Sequence, residues 1–107
     1  MVEYLYVNLD LFSVFATLKQ NSCYVLYVLI MLVMNSSDSS RQVRLNKAIA
    51  DDFLKGHLDE EKLRKFSSPR FSEGIRELIE KGVIERVPNK KYLYTYNKNL
   101  FKFPKNR

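Results

Sequence analysis

Apolar and polar residues change rhythm several times along the chain, and each rhythm predicts an element. Leu5, Val7, Leu9 and Leu11 alternate with Tyr4, Tyr6, Asn8 and Asp10, and that period of two predicts a strand over 4–9. "SVFATLKQ" reads as a short helix with Ser13 as its cap. From Cys23 to Met34, "CYVLYVLIMLVM" is apolar without a break. A helix apolar on every side belongs in a core, and one side of it is free to meet a partner subunit. Asn21 or Ser22 would cap it. "NSSDSSRQ" ends the run as a loop, because small polar side chains compete for backbone hydrogen bonds.

The second half is more regularly punctuated. "QVRL" predicts a short strand, and "NKAIADDFLKG" a helix capped by Asn46, with Ile49, Phe53 and Leu54 on its apolar face and Gly56 at its end. "HLDEEKLRKF" allows two readings. Either Asp59 caps a short helix over Glu60–Lys65 with Leu63 and Phe66 inward, or the preceding helix continues past Gly56. Ser68-Pro69 is a start signal, with serine as cap and proline at the first helical position. Phe71, Ile75, Leu78 and Ile79 then form one apolar stripe, and Gly82 ends the helix in the left-handed conformation. "VIERV" and "KYLYTY" alternate on either side of "PNKK", which predicts a hairpin. Without the first strand and short helix, the order is helix, strand, helix, helix, two-stranded wing. The expected fold class is α+β, a winged helix-turn-helix with an added N-terminal strand and short helix.

Length and composition bound this picture. A chain of 107 residues with 46% hydrophobic content supports one domain and no second core. Residues 1–20 form an N-terminal extension packed on it, and 98–107 a basic C-terminal tail. The apolar run of Cys23–Met34 is shorter than the roughly 20 residues of a spanning helix, and no signal-peptide pattern precedes it. A membrane partner is therefore not expected. One cysteine, Cys23, in an apolar setting fits a reducing, cytoplasmic location.

Charge changes the picture more. Lys19 is the one basic residue of the first forty, against Glu3, Asp10 and Asp38, so the remainder holds all other lysines and arginines. Between Arg86 and Arg107 there are seven basic residues and no acid. Such asymmetry suits a polyanion. On the helix after Pro69, the face opposite the apolar stripe carries Arg70, Ser72, Glu73, Arg76 and Glu77. Arg70 and Arg76 could contact guanine or phosphate, Ser67, Ser68 and Ser72 suit phosphate or base, and Glu73 could accept from cytosine. The wing offers Arg86, Lys90 and Lys91 to the backbone, with Asn89 at its tip. The bland reading of both is a solvated helix face and an ordinary polar hairpin tip. Tyr92, Tyr94 and Tyr96 share a strand face, where they cover the core or stack on bases.

Catalysis finds little support. His57 is the only histidine and lies far in sequence from Cys23. Asp51-Asp52 and Asp59-Glu60-Glu61 match helix starts and wet faces better than a cation site. No glycine-rich phosphate loop, paired CxxC or HExxH is present. No enzyme activity, catalytic residue, metal or cofactor is expected.

From Leu18 to Lys102 the chain resembles RepL-type plasmid replication initiators and related small winged-helix plasmid proteins. The resemblance rests on "VRLNKAIADDF", "FSEGIRELIEKGVIERV" and above all "YTYNKNLFKF". In that ending Tyr94, Asn97 and Phe101 stand at matching positions, and Lys98 stands where the family usually has proline. The resemblance implies sequence-specific binding of double-stranded DNA to initiate replication of a plasmid or mobile element, with host replication proteins recruited afterwards. One small helix buries little surface, which favours a homodimer on a repeated site. The rival expectations are a transcriptional repressor of similar architecture and a protein-interaction winged helix that never touches DNA.

Overall fold

The computed structural model describes residues 6–7, 16–35, 41–97 and 101–102. Its elements run β1 (Tyr6–Val7), α1 (Gln20–Asn35), β2 (Gln42–Arg44), α2 (Lys47–Leu54), α3 (Glu60–Lys65), α4 (Ser68–Glu80), β3 (Ile84–Arg86), β4 (Leu93–Tyr96) and β5 (Phe101–Lys102). The class is α+β. Among the described residues, the helices accompany a three-stranded antiparallel sheet of order β2–β4–β3, and β1 pairs separately with β5. This order is compatible with the expected winged helix-turn-helix.

Local chemistry explains most boundaries. The Asn46 side chain accepts a hydrogen bond from the Ile49 amide at 2.9 Å and starts α2. Asp59 does the same for α3 through the Lys62 amide at 2.8 Å, so the separate short helix is the correct one of the two readings. Gly82 takes the left-handed conformation, φ 77°, and ends the turn after α4. In the hairpin, Pro88 precedes Asn89 at φ 65°, and the Lys90 amide bonds back to the Val87 carbonyl at 3.3 Å. Proline followed by a positive φ is the signature of a type II turn.

Three expectations need correction. The cap of α4 is Ser67 rather than Ser68, its side chain makes no capping bond, and Pro69 stands one place further in. Helix α1 starts at Gln20, ahead of the expected caps Asn21 and Ser22. Gly56 does follow the end of its helix as expected, directly after the C-cap Lys55, and without a positive φ. Tyr92 does not share the strand face of Tyr94 and Tyr96: β4 starts at Leu93, and the backbone at Tyr92 turns left-handed, φ 63°. The short N-terminal helix is described only at Ala16 and Thr17, and most of strand 4–9, the loop over 36–40, Lys98 and the tail phenylalanine side chains lie outside the described residues.

Helix α1 runs through the core. Val25, Leu26, Val28, Leu29 and Val33 are fully buried, as the uninterrupted apolar run requires. Phe71, Ile75 and Leu78 of α4 pack on it, and Ile79 lies half-buried beside them. The inner sheet face adds Val43, Ile84, Tyr94 and Tyr96. The register places Val43 opposite Tyr94, and Tyr94 opposite Arg86. Facing residues of an antiparallel sheet share a side, so Arg86 stands at the end of the core-facing row. Gly74 is buried where α4 meets Asn21 and Val25 of α1. Any side chain there would stand 2.7 Å from the Val25 Cγ2 atom, so the two helices approach this closely only through glycine. Phe66, 1% exposed, re-enters the core after α3, edge-on to Tyr24 and Phe71.

Candidate nucleic-acid interface

Helix α4 has two polar flanks of opposite chemistry. On one side, positions 68, 71, 72, 75 and 76 follow helical spacing and line a cleft of about 870 Å³. The cleft's far walls are Asn46 and Lys47 at the start of α2, and Arg86, Lys90, Lys91, Tyr92 and Tyr94 of the hairpin. Among the described residues its lining holds five cations, Lys47, Arg76, Arg86, Lys90 and Lys91, and no acid. Phe71 and Ile75 form the floor. On the other side, Glu73, Arg76, Glu77 and Glu80 line a smaller cleft with Lys19, Asn21 and Ser22.

One acid on the second flank, Glu77, binds the start of α1. Glu77 Oε1 accepts the Lys19 backbone N–H at 3.0 Å, just ahead of α1. The Ser22 hydroxyl also donates to it. Ser22 first and the Lys19 amide second hold the Glu77 carboxyl below its ordinary value. A carboxylate here satisfies one of the free donors at the start of α1 and suits its dipole. It comes from a helix remote in sequence.

The expected contact residues are thus divided. Ser68, Ser72, Arg76, Arg86, Lys90 and Lys91 meet in the cationic cleft. Glu73 faces the acidic cleft beside α1. Arg70 is exposed in the first turn of α4 and lines neither cleft. Ser67 is half-buried at the cap, and Asn89 is exposed at the hairpin turn. Sequence reasoning did not find Asn46 and Lys47 as wall residues. The signal was present, since a helix start presents free amides that attract anions.

Each cation is held differently. Lys47 Nζ pairs with Asp51 at 2.6 Å and sits 5.5 Å from the Phe66 ring centroid. Arg86 lies 5.8 Å from the Tyr94 ring centroid, with Nη1 at a long 3.5 Å from the Tyr94 hydroxyl. Among the described residues, Arg76, Lys90 and Lys91 take part in no ion pair, so their charge remains available to a ligand. Tyr94 is 4% exposed and Tyr96 2%, whereas Tyr92 is 53% exposed. Tyr96 belongs to the core, Tyr94 is buried at the cleft wall, and Tyr92 stands exposed in the cleft.

The remaining reactive groups lie elsewhere. A hydrogen bond of 2.9 Å joins His57 Nε2 and the Tyr27 hydroxyl. Burial, and then the Glu77 charge, push the Cys23 thiol up from its ordinary value, which opposes thiolate formation. Among the described residues no helix is long and apolar enough to cross a membrane, and no cluster of His, Cys, Asp and Glu could hold a metal ion. In comparisons with known proteins, no family model, no curated protein and no solved structure matches this chain.

Proposed function

We propose that the chain binds double-stranded DNA as a winged helix-turn-helix protein, with α4 in the major groove and the hairpin on the flanking backbone. The observation that carries this reading is the acid-free cleft, in which Arg76, Lys90 and Lys91 face the same space as Ser68 and Ser72. Cations without internal partners seek phosphate, and short hydroxyls in the first turns of a helix suit phosphate or base edges. The start of α2 brings a second helix N-terminus to the same side. The biological role we assign is replication initiation for a plasmid or mobile element in the cytoplasm, with host proteins recruited to the bound site. This rests on the resemblance carried by Tyr94, Asn97 and Phe101. A homodimer on a repeated site would supply the discrimination that one short helix lacks.

The test is selection from a randomised duplex pool, followed by titration of the enriched duplex at several salt concentrations. Wild type should show affinity falling steeply with salt. Arg76→Glu should weaken binding by an order of magnitude or more. Lys90→Gln with Lys91→Gln should reduce the slope of log K against log salt by about 2, roughly one per lost phosphate contact. Identical affinity and slope for wild type and both variants would overturn the assignment and leave the fold as a protein-binding module.

A further inference from the structure

Tyr92 combines three properties that do not meet at any other described residue. It is the one large hydrophobic residue that is exposed among those described. Its backbone is left-handed, φ 63°, a conformation that a bulky side chain adopts rarely and that persists where neighbours fix it. It lines the cationic cleft beside Lys90 and Lys91. The neighbours that fix it are identifiable. The Tyr92 carbonyl accepts the Leu45 amide at 2.7 Å, and the Val87 amide bonds to the Leu93 carbonyl at 3.0 Å. These bonds hold the chain just before β4, where the Tyr92 ring stays exposed while Tyr94 and Tyr96 are buried.

We propose that Tyr92 stacks on a base, so that the hairpin side of the cleft takes DNA in which a base is unstacked or unpaired, next to the duplex held by α4. This deepens the reading above and rests on it. The flat faces of bases are inaccessible in an intact duplex, whereas an opened base presents one to an aromatic ring. Such stacking is tolerant of sequence and independent of phosphate neutralisation. The neighbouring lysines would hold the backbone on either side of the opened base. The cleft would then join two chemistries, charge along α4 and the hairpin, and π-stacking at one ring.

The experiment compares a fully paired duplex with the same duplex carrying a short unpaired tract, using full-length wild type, Tyr92→Phe, Tyr92→Ala and Tyr92→Asn. Wild type and Tyr92→Phe should prefer the duplex with the unpaired tract by about tenfold, the order of one base–aromatic stack. Tyr92→Ala and Tyr92→Asn should bind both duplexes alike, with an unchanged salt slope. Asparagine tolerates left-handed backbone, so Tyr92→Asn should melt no lower than Tyr92→Ala and keeps the comparison sound if alanine disturbs folding. An equal preference in wild type and both truncated variants overturns the proposal. So does a loss of equal size on both duplexes. If wild type binds neither duplex, the reading of the cleft as a DNA site fails, and the proposal falls with it.

Discussion

Gly74→Ala is the substitution on which local and tertiary effects disagree most clearly. In a helix interior, alanine is favoured over glycine by about 1 kcal/mol, so an unconstrained position would gain stability. Here the new Cβ would stand 2.7 Å from Val25 Cγ2 and 2.9 Å from the Asn21 carbonyl oxygen. Carbon contacts are comfortable near ~3.5–4.0 Å. Val25 is fully buried and cannot turn without disturbing its neighbours. The Asn21 carbonyl belongs to the α1 backbone. The two helices must therefore part locally by several tenths of an ångström or more. Overpacking of a tight core costs about 1–3 kcal/mol, and a backbone clash places this case near the upper end. Subtracting the propensity gain leaves a net loss of about 2 kcal/mol, or a Tm lower by about 10 °C for a domain of this size. The assay is thermal and urea denaturation followed by circular dichroism, with Gly56→Ala and Gly82→Ala alongside. Nothing lies within 4 Å of a Cβ at Gly56, so that variant should match or slightly exceed wild type. Gly82, at φ 77°, should lose about 1 kcal/mol through backbone strain alone. A Gly74→Ala protein as stable as wild type would refute the claim that this contact seats α4 on α1.

Two further substitutions test the helix starts. Glu77→Gln should lower stability at neutral pH, and the gap should close on acidification. A carboxyl held below its ordinary value of 4.5 contributes stability above that value and loses it as pH falls through the folded value. Melting curves across the acidic range check this, and a gap independent of pH would show that the charge is not what matters. Asn46→Ala should cost about 1 kcal/mol in denaturant titration, because its side chain caps α2. Ser67→Ala should cost close to nothing, since that side chain makes no capping bond.

What the sequence reveals and what it hides follow a physical boundary. Asn46, Asp59 and Gly82 could be read because each acts on amides or dihedrals within three residues of itself. The stripe of Phe71, Ile75 and Leu78 could be read because it repeats with the helical period. Glu77 could not be assigned from its own neighbourhood. Its partners, Lys19 and Ser22, lie more than fifty residues earlier. Gly74 left a weak local trace, an unfavourable residue inside a helix, whose reason appears only when Val25 and Asn21 arrive from α1. The cleft was half legible. Charge pointed to Arg76, Arg86, Lys90 and Lys91, but only the fold separates Glu73 from the hairpin cations, sets Arg76 between the two clefts, and adds Lys47. Alternation misplaced Tyr92, because a left-handed residue just before a strand resets which side chains face in.

Helix α3 contributes no buried residue of its own, and the chain regains the interior only at Phe66. The stretch between α2 and α4 is therefore an outboard span, seated deeply only at that one ring and held more lightly by Leu58, Leu63 and the hydrogen bond between His57 and Tyr27. Lengthening such a span is inexpensive, since each doubling of a flexible connection adds only about 0.6 kcal/mol. The separation of α2 from α4 along the chain can drift while their seats against α1 stay fixed. A foreign peptide grafted between His57 and Arg64 would ride on the outside and leave Lys47 and Arg76 facing each other across the same gap.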